Sequence, residues 1–230
     1  LLFGGEADNG AKSDVWELVE TAEPQPGADQ PDPDAAAASE SPAPEAAEEP
    51  SVGGGATSAA AMTQEELDAR VRSFLERNRR RWRDLNVPEA DGQRLHDLIV
   101  ENGYTRALEI GTSTGHSGIW IAWALSRTGG KLITVEIDRG RYEEAVRNFQ
   151  EAGLAPYIDA RLADAHQLVP QLEGPFDFVF IDADKDWYTN YFRAVYPKLH
   201  VCGCLTAHNV SGRRTGWVRE FLDALESTPG

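Results

Sequence analysis

The chain predicts an α/β fold built on a doubly wound, mostly parallel sheet. Three observations lead there. Beyond residue 100, short apolar runs alternate with amphipathic segments. The first of these runs breaks into a glycine-rich turn, and two later runs end in carboxylates. Strand–helix alternation with apolar strands is the pattern of a parallel sheet covered on both faces. Helices are expected at about 64–84 and 90–102, then strands at 106–110, 131–136, 157–161, 176–181 and 203–207. Between the strands the periodicity gives helices at about 116–127, 140–152, 165–171 and 187–198, and one more at about 215–226.

The first helix has a clear start. Thr63-Gln64-Glu65-Glu66 is a capping box, a threonine followed three residues later by a glutamate. Before it, residues 1–61 hold thirteen acidic residues against one lysine, Lys12, and seven of the thirteen prolines. Such an acidic Pro/Ala-rich segment buries too little apolar surface to offset its ordering entropy, so it is expected to be disordered. Within it only residues 14–19 read as a transient helical turn, and removing the segment is expected to leave stability unchanged. The domain is then 62–230. The whole-chain charge of −16 is mostly tail, which carries −12, leaving the domain near balance at −4. A nucleic-acid partner would need a clustered basic face, and Arg77, Arg79, Arg80, Arg81 and Arg83 read instead as the solvated side of one helix. No apolar run approaches the ~20 residues of a membrane span. Cys202 and Cys204 read as small buried hydrophobes, and a reducing cytoplasm is the default location.

The glycine-rich turn is Leu108-Glu109-Ile110-Gly111-Thr112-Ser113-Thr114-Gly115-His116-Ser117-Gly118. In open α/β sheets ligands bind beyond the carboxyl ends of the strands. A dinucleotide fingerprint would need glycine at the third position of this turn, where Ser113 stands. The helix N-terminus and the hydroxyls of Ser113 or Ser117 instead suit a carboxylate. The second strand ends in Glu136, twenty-five residues after Gly111 and able to accept both hydroxyls of a ribose. The fourth strand ends in Asp182-Ala183-Asp184-Lys185, two carboxylates and an ammonium that would be costly to bury without purpose.

With E-x-G-x-x-x-G and D-x-D-K, the chain from about Thr63 to about Asn209 resembles the S-adenosylmethionine-dependent O-methyltransferases of the catechol and caffeoyl-CoA type. That resemblance implies a class I methyltransferase (Rossmann-like) fold. It also implies methyl transfer to a hydroxyl of a small, aromatic acceptor and a homodimer. Its donor site would comprise Asn86, Val87, Glu109, Gly111, Ser113, Gly115, Ser117, Glu136, Asp164 and Asp182. By position Glu136 holds the ribose and Asp164 faces the adenine, with His166 either stacking on it or merely exposed. Lys185 would accept the acceptor's proton. A divalent metal would be held by Asp182, His208 and Asn209, but His208 stands where the family has aspartate. Two outcomes are then open: a softer metal than Mg²⁺, or a metal-free site with His208 as base. Trp187, Tyr188 and Trp217 could wall a planar acceptor. The family continues with two further strands, which this chain is expected to lack, leaving the fifth strand with an open edge. That stop at Gly230 and the start at Leu1 suggest a piece of a longer product. The competing classes are a nicotinamide-dependent oxidoreductase and a non-catalytic S-adenosylmethionine-binding protein.

Overall fold

A computed structural model of the chain describes residues 2–6, 12–19, 62–82, 85–210 and 216–228. After two strands near the N-terminus, β1 (Leu2–Glu6) and β2 (Lys12–Val19), come helices α1 (Gln64–Asn78) and α2 (Glu89–Asn102). Then alternate β3 (Arg106–Ile110), α3 (His116–Thr128), β4 (Lys131–Glu136), α4 (Arg139–Ala152), β5 (Ile158–Leu162), α5 (Ala165–Leu168), β6 (Phe176–Ile181), α6 (Tyr188–Val195), β7 (Leu199–Ala207) and α7 (Gly216–Ser227). The sheet order is β1-β2-β7-β6-β3-β4-β5, with β3 to β7 mutually parallel. The expected doubly wound architecture is therefore present, with the order reversing at β3.

Three differences have physical causes. First, α1 stops at Asn78 rather than near 84, where the buried Asn78 amide turns back to donate to the Phe74 carbonyl at 2.9 Å. Second, the outer edge of β7 is covered. β2 pairs with it antiparallel from Trp16 opposite Ala207 to Val19 opposite Cys204, and β1 pairs with β2. Among the described residues the sheet thus has seven strands, and its two antiparallel ones lie before the domain in sequence. An open edge offers a row of unsatisfied N–H and C=O groups. Val15-Trp16-Glu17-Leu18-Val19, β-branched and aromatic, has the composition to pair there. Residues 2–6 and 12–19 therefore depart from the disorder expected of 1–61, and 14–19 are strand rather than a helical turn. The rest of that segment lies outside the described residues. Third, Cys202 is exposed and left-handed at φ +67°, while only Cys204 is buried.

The core lies on both faces of the parallel strands. One side packs Val179, Ile181 and Leu205 against Tyr191, Phe192 and Phe221 of the C-terminal helices. The other sets Phe178 and Phe180 against Leu95, Ile99 and Ile121. Helix α3 is buried along almost its whole length, which explains why its sequence is apolar all round. These layers fix the carboxyl ends of five strands in one row. Gly111 N–H donates to Val135 O (3.1 Å), Asp182 N–H to Ile110 O (2.9 Å), His208 N–H to Ile181 O (3.0 Å) and Ala163 N–H to Glu136 O (2.9 Å). Among the described residues no helix is long and apolar enough to cross a membrane.

Candidate active site

Beyond that row lies a cavity of about 760 Å³, lined among others by Asn86, Ser113, Glu136, Asp164, Asp182 and Lys185. The glycine turn shapes its floor. Gly111 adopts φ +102°, and a Cβ there would collide with the Asp182 carbonyl, so only glycine lets the two strand ends lie so close. Gly115 at φ +95° opens α3, and a side chain there would strike the Phe149 ring.

Glu136 is held by backbone. Its Oε2 accepts from Ser113 N–H (2.7 Å), and Oε1 from the N–H groups of Ile137 (3.1 Å) and Asp138 (2.9 Å). Ser113 itself sits at φ +50°, which aims its N–H at that carboxylate. Asp164 caps α5, accepting from His166 N–H at 2.9 Å and from the Gln167 amide. The His166 ring stacks on Trp187 with centroids 4.1 Å apart, and its Nε2 lies 2.9 Å from Asp184. Asp184 also accepts from the Tyr191 hydroxyl at 2.7 Å, which, after burial, pushes that phenol's pKa above its ordinary value.

Glu109 lies behind the turn, wholly buried. The Thr134 hydroxyl donates to its Oε2, while Oε1 has no partner. Burial pushes its pKa up to about 8, opposed by the Ser117 and Thr134 hydroxyls and reinforced by the charges of Asp182 and Glu136. Ser117 is likewise buried and does not line the cavity. Val87 is also not a cavity residue. It packs in the core, and its carbonyl accepts from His116 Nδ1 (2.9 Å). With Trp120 donating to its Nε2, His116 is a neutral core imidazole whose pKa burial lowers to about 4.

At the far side of the cavity Lys185 Nζ stands 2.8 Å from Asp182 Oδ1 and 2.7 Å from the Tyr188 hydroxyl, which donates to the His208 carbonyl. The His208 ring lies between two carboxylates. Nδ1 is 3.3 Å from Asp182 Oδ2, and Nε2 is 3.2 Å from Oδ2 of Asp91, a wholly buried residue of α2. Burial alone would lower the imidazole's pKa, but the bonds and charges of Asp182 and Asp91 outweigh it and raise it to about 9. Burial would likewise raise Asp182, yet His208 and Lys185 hold it below the usual carboxylate range. This set does not fit a metal. A histidine ligand must offer a ring lone pair, and here each ring nitrogen faces a carboxylate and must carry a hydrogen. The same geometry leaves His208 no lone pair with which to act as base.

The structure thus brings Asn86, Gly111, Ser113, Glu136, Asp164, Asp182, Lys185, His208 and Asn209 around one cavity, while Val87 and Ser117 support it from behind. Of the expected aromatic wall, Trp187 stacks behind the lining residue His166, while the rings of Tyr188 and Trp217 pack on each other 4.9 Å apart. Sequence reasoning missed Asp91, Ile137, Arg141 and Tyr191. Ile137 had a signal, an apolar residue left 69% exposed directly after the Glu136 strand end. Asp91 had none, because it reaches the site across 117 residues.

A doubly wound sheet with a glycine turn after β3 and an acid closing β4 is the class I methyltransferase fold. The chain belongs to the O-methyltransferase family, whose sequence pattern matches residues 57–224. It is 46% identical over 113 residues to a catechol O-methyltransferase of Niastella koreensis, covering 47% of this chain and 51% of that one. It is 35% identical over 133 residues to caffeoyl-CoA O-methyltransferase 1 of Eucalyptus globulus, covering 56% and 54%. The chain spans about half the length of these curated relatives. Among solved structures, an O-methyltransferase from Bacillus cereus in complex with SAH superposes with a TM-score of 0.62 at 28% identity, covering 70% of this chain and 80% of that one. TomG from Streptomyces achromogenes, in complex with SAM, gives 0.60 at 29% identity, covering 69% and 78%.

Proposed function

We propose that the chain transfers a methyl group from S-adenosylmethionine to a hydroxyl oxygen of a small aromatic acceptor. The observation that carries this reading is one cavity with two chemically distinct ends. Glu136, Asp164 and the exposed Ile137 suit a ribose and an adenine, while Asp182 and Lys185 face the opposite wall. Between them the Gly111–Gly115 turn and the N-terminus of α3 suit the donor's carboxylate. The partnerless Oε1 of buried Glu109 suits its ammonium. The donor's sulfonium is thereby directed toward the Asp182–Lys185 end.

Methyl transfer is an in-line displacement. An oxygen lone pair forms the new O–C bond as the C–S bond breaks, its electrons remaining on sulfur as a neutral thioether. The protein's task is to align the two reactants and manage the hydroxyl proton. Lys185, once its own proton has passed to solvent, is the amine that takes it, and the Tyr188 hydroxyl 2.7 Å away orients that nitrogen. The family names of the relatives support an aromatic acceptor.

Calorimetry with S-adenosylhomocysteine against NAD, followed by single-turnover methylation of a catechol panel, tests the reading. Binding of the homocysteine product with methylated catechol is expected. Binding of NAD alone would return the chain to the oxidoreductase class, and donor binding without turnover on any hydroxyl would make it a non-catalytic binder.

A further inference from the structure

We infer that this chain has exchanged a divalent-cation centre for an internal cation. His208, clamped between Asp91 and Asp182, takes the metal's place, and methyl transfer runs without a divalent ion. The inference deepens the methyl-transfer reading and rests on it.

Three elements build the clamp: Asp91 from α2, Asp182 from the end of β6 and His208 from the end of β7. Both oxygens of Asp182 already face nitrogen-borne positive groups, Oδ1 toward Lys185 and Oδ2 toward His208. A wholly buried carboxylate such as Asp91, aimed at a ring nitrogen, is tolerable only when that nitrogen bears a hydrogen. The second ring nitrogen is under the same demand from Asp182. The ring is therefore an imidazolium, which has no lone pair to offer a dication. Asn209, the remaining candidate ligand, is exposed and held at φ +62° beside this cluster.

Chemically the substitution fixes Asp182, whose other oxygen holds Lys185 Nζ at the wall that receives the acceptor. His208 acts as a fixed cation, Asp91 is a positioning residue acting through it, and Lys185 remains the proton carrier.

The test uses the full chain, stripped with a chelator and desalted. Binding of Mg²⁺ and Zn²⁺ is measured by calorimetry and of Mn²⁺ by electron paramagnetic resonance, with S-adenosylhomocysteine present throughout. Wild type is expected to bind none of the three below millimolar concentration. His208→Asp, which restores a third carboxylate, is expected to gain one Mn²⁺ site at least tenfold tighter than any in wild type. One ion per chain at micromolar affinity in wild type would overturn the inference. So would a folded His208→Asp variant that still binds none. If that variant does not fold, the wild-type titration decides alone. Turnover of a catechol by chelated wild type should equal that of untreated enzyme. A loss restored by added Mn²⁺ or Zn²⁺ would again overturn the inference. Failure to bind S-adenosylhomocysteine would count instead against the methyl-transfer reading, so the two failures are distinguishable.

Discussion

Glu109 offers a sharp test of how the buried side of the proposed donor site works. Its carboxyl is wholly buried, and its pKa is pushed from 4.5 to about 8. The sign is direct. Between those values the native state binds a proton that the unfolded chain has released, so stability falls as pH rises through the window. Each pH unit of withheld ionisation is worth ~1.4 kcal/mol, so at pH 7 the residue costs the donor-free fold about 3 kcal/mol. Glu109→Gln removes that cost. The amide oxygen still accepts from Thr134, but its NH₂ meets the place where Oε1 has no partner, a loss of ~1–3 kcal/mol. The two terms nearly cancel at pH 7, so the absolute stability of the variant is a poor readout. The pH dependence of the difference is a good one. Urea melts without donor should show the variant gaining about 3–4 kcal/mol on wild type between pH 5 and 8. A difference that stays flat over this range would refute the reasoning. The proposed role supplies a second readout. If the donor's ammonium meets Oε1, binding ionises Glu109, and calorimetry in buffers of different ionisation enthalpy should record close to one proton released at pH 7. Glu109→Gln should abolish that release and weaken donor affinity.

Three further outcomes are expected. Glu136→Ala should weaken S-adenosylhomocysteine by at least tenfold by calorimetry, since hydrogen bonds to a charged acceptor are worth ~1.5–3 kcal/mol each; unchanged affinity would remove Glu136 from the ribose site. His208, whose pKa is raised from 6.5 to about 9, stabilises the fold fully below 6.5, and that stabilisation is lost as pH rises through 9. The stability gap between wild type and His208→Gln should therefore narrow from pH 6.5 to 9 in urea melts, and a gap that widens would show that the ring is neutral. Deleting residues 1–19 uncovers the β7 edge that β2 covers, so the melting temperature should fall and concentration-dependent self-association should appear on sizing; an unaltered melt would mean that the edge needs no cover.

The parts of this molecule legible in sequence are those whose cause is local. Glu136, Gly111 and Asp182 each sit at the carboxyl end of a strand whose own apolar run announces it, and the sheet then brings them together without further instruction. The glycine turn is legible in the same way, because the collision that forbids a side chain at Gly111 comes from the strand end next to it in the sheet. Partners supplied by the packing of distant elements are not legible. Trp217 and Tyr188 have the composition of an acceptor wall, yet each finds the other in the core. The residues C-terminal to β7 point to an open edge, while its cover comes from the other end of the chain. His208 is the instructive case. As one residue in a motif, an imidazole in place of a carboxylate means a loss of negative charge, and a softer metal or a base is then the natural reading. Asp91 changes the sign of that argument. A second buried carboxylate, brought in by α2, turns the imidazole from an electron-pair donor into a cation, and no spacing rule connects position 91 to position 208. The chemistry of this site therefore turns on how α2 docks against the sheet, through Leu95 and Ile99 packed on Phe178 and Phe180, as much as on the motif at the strand ends.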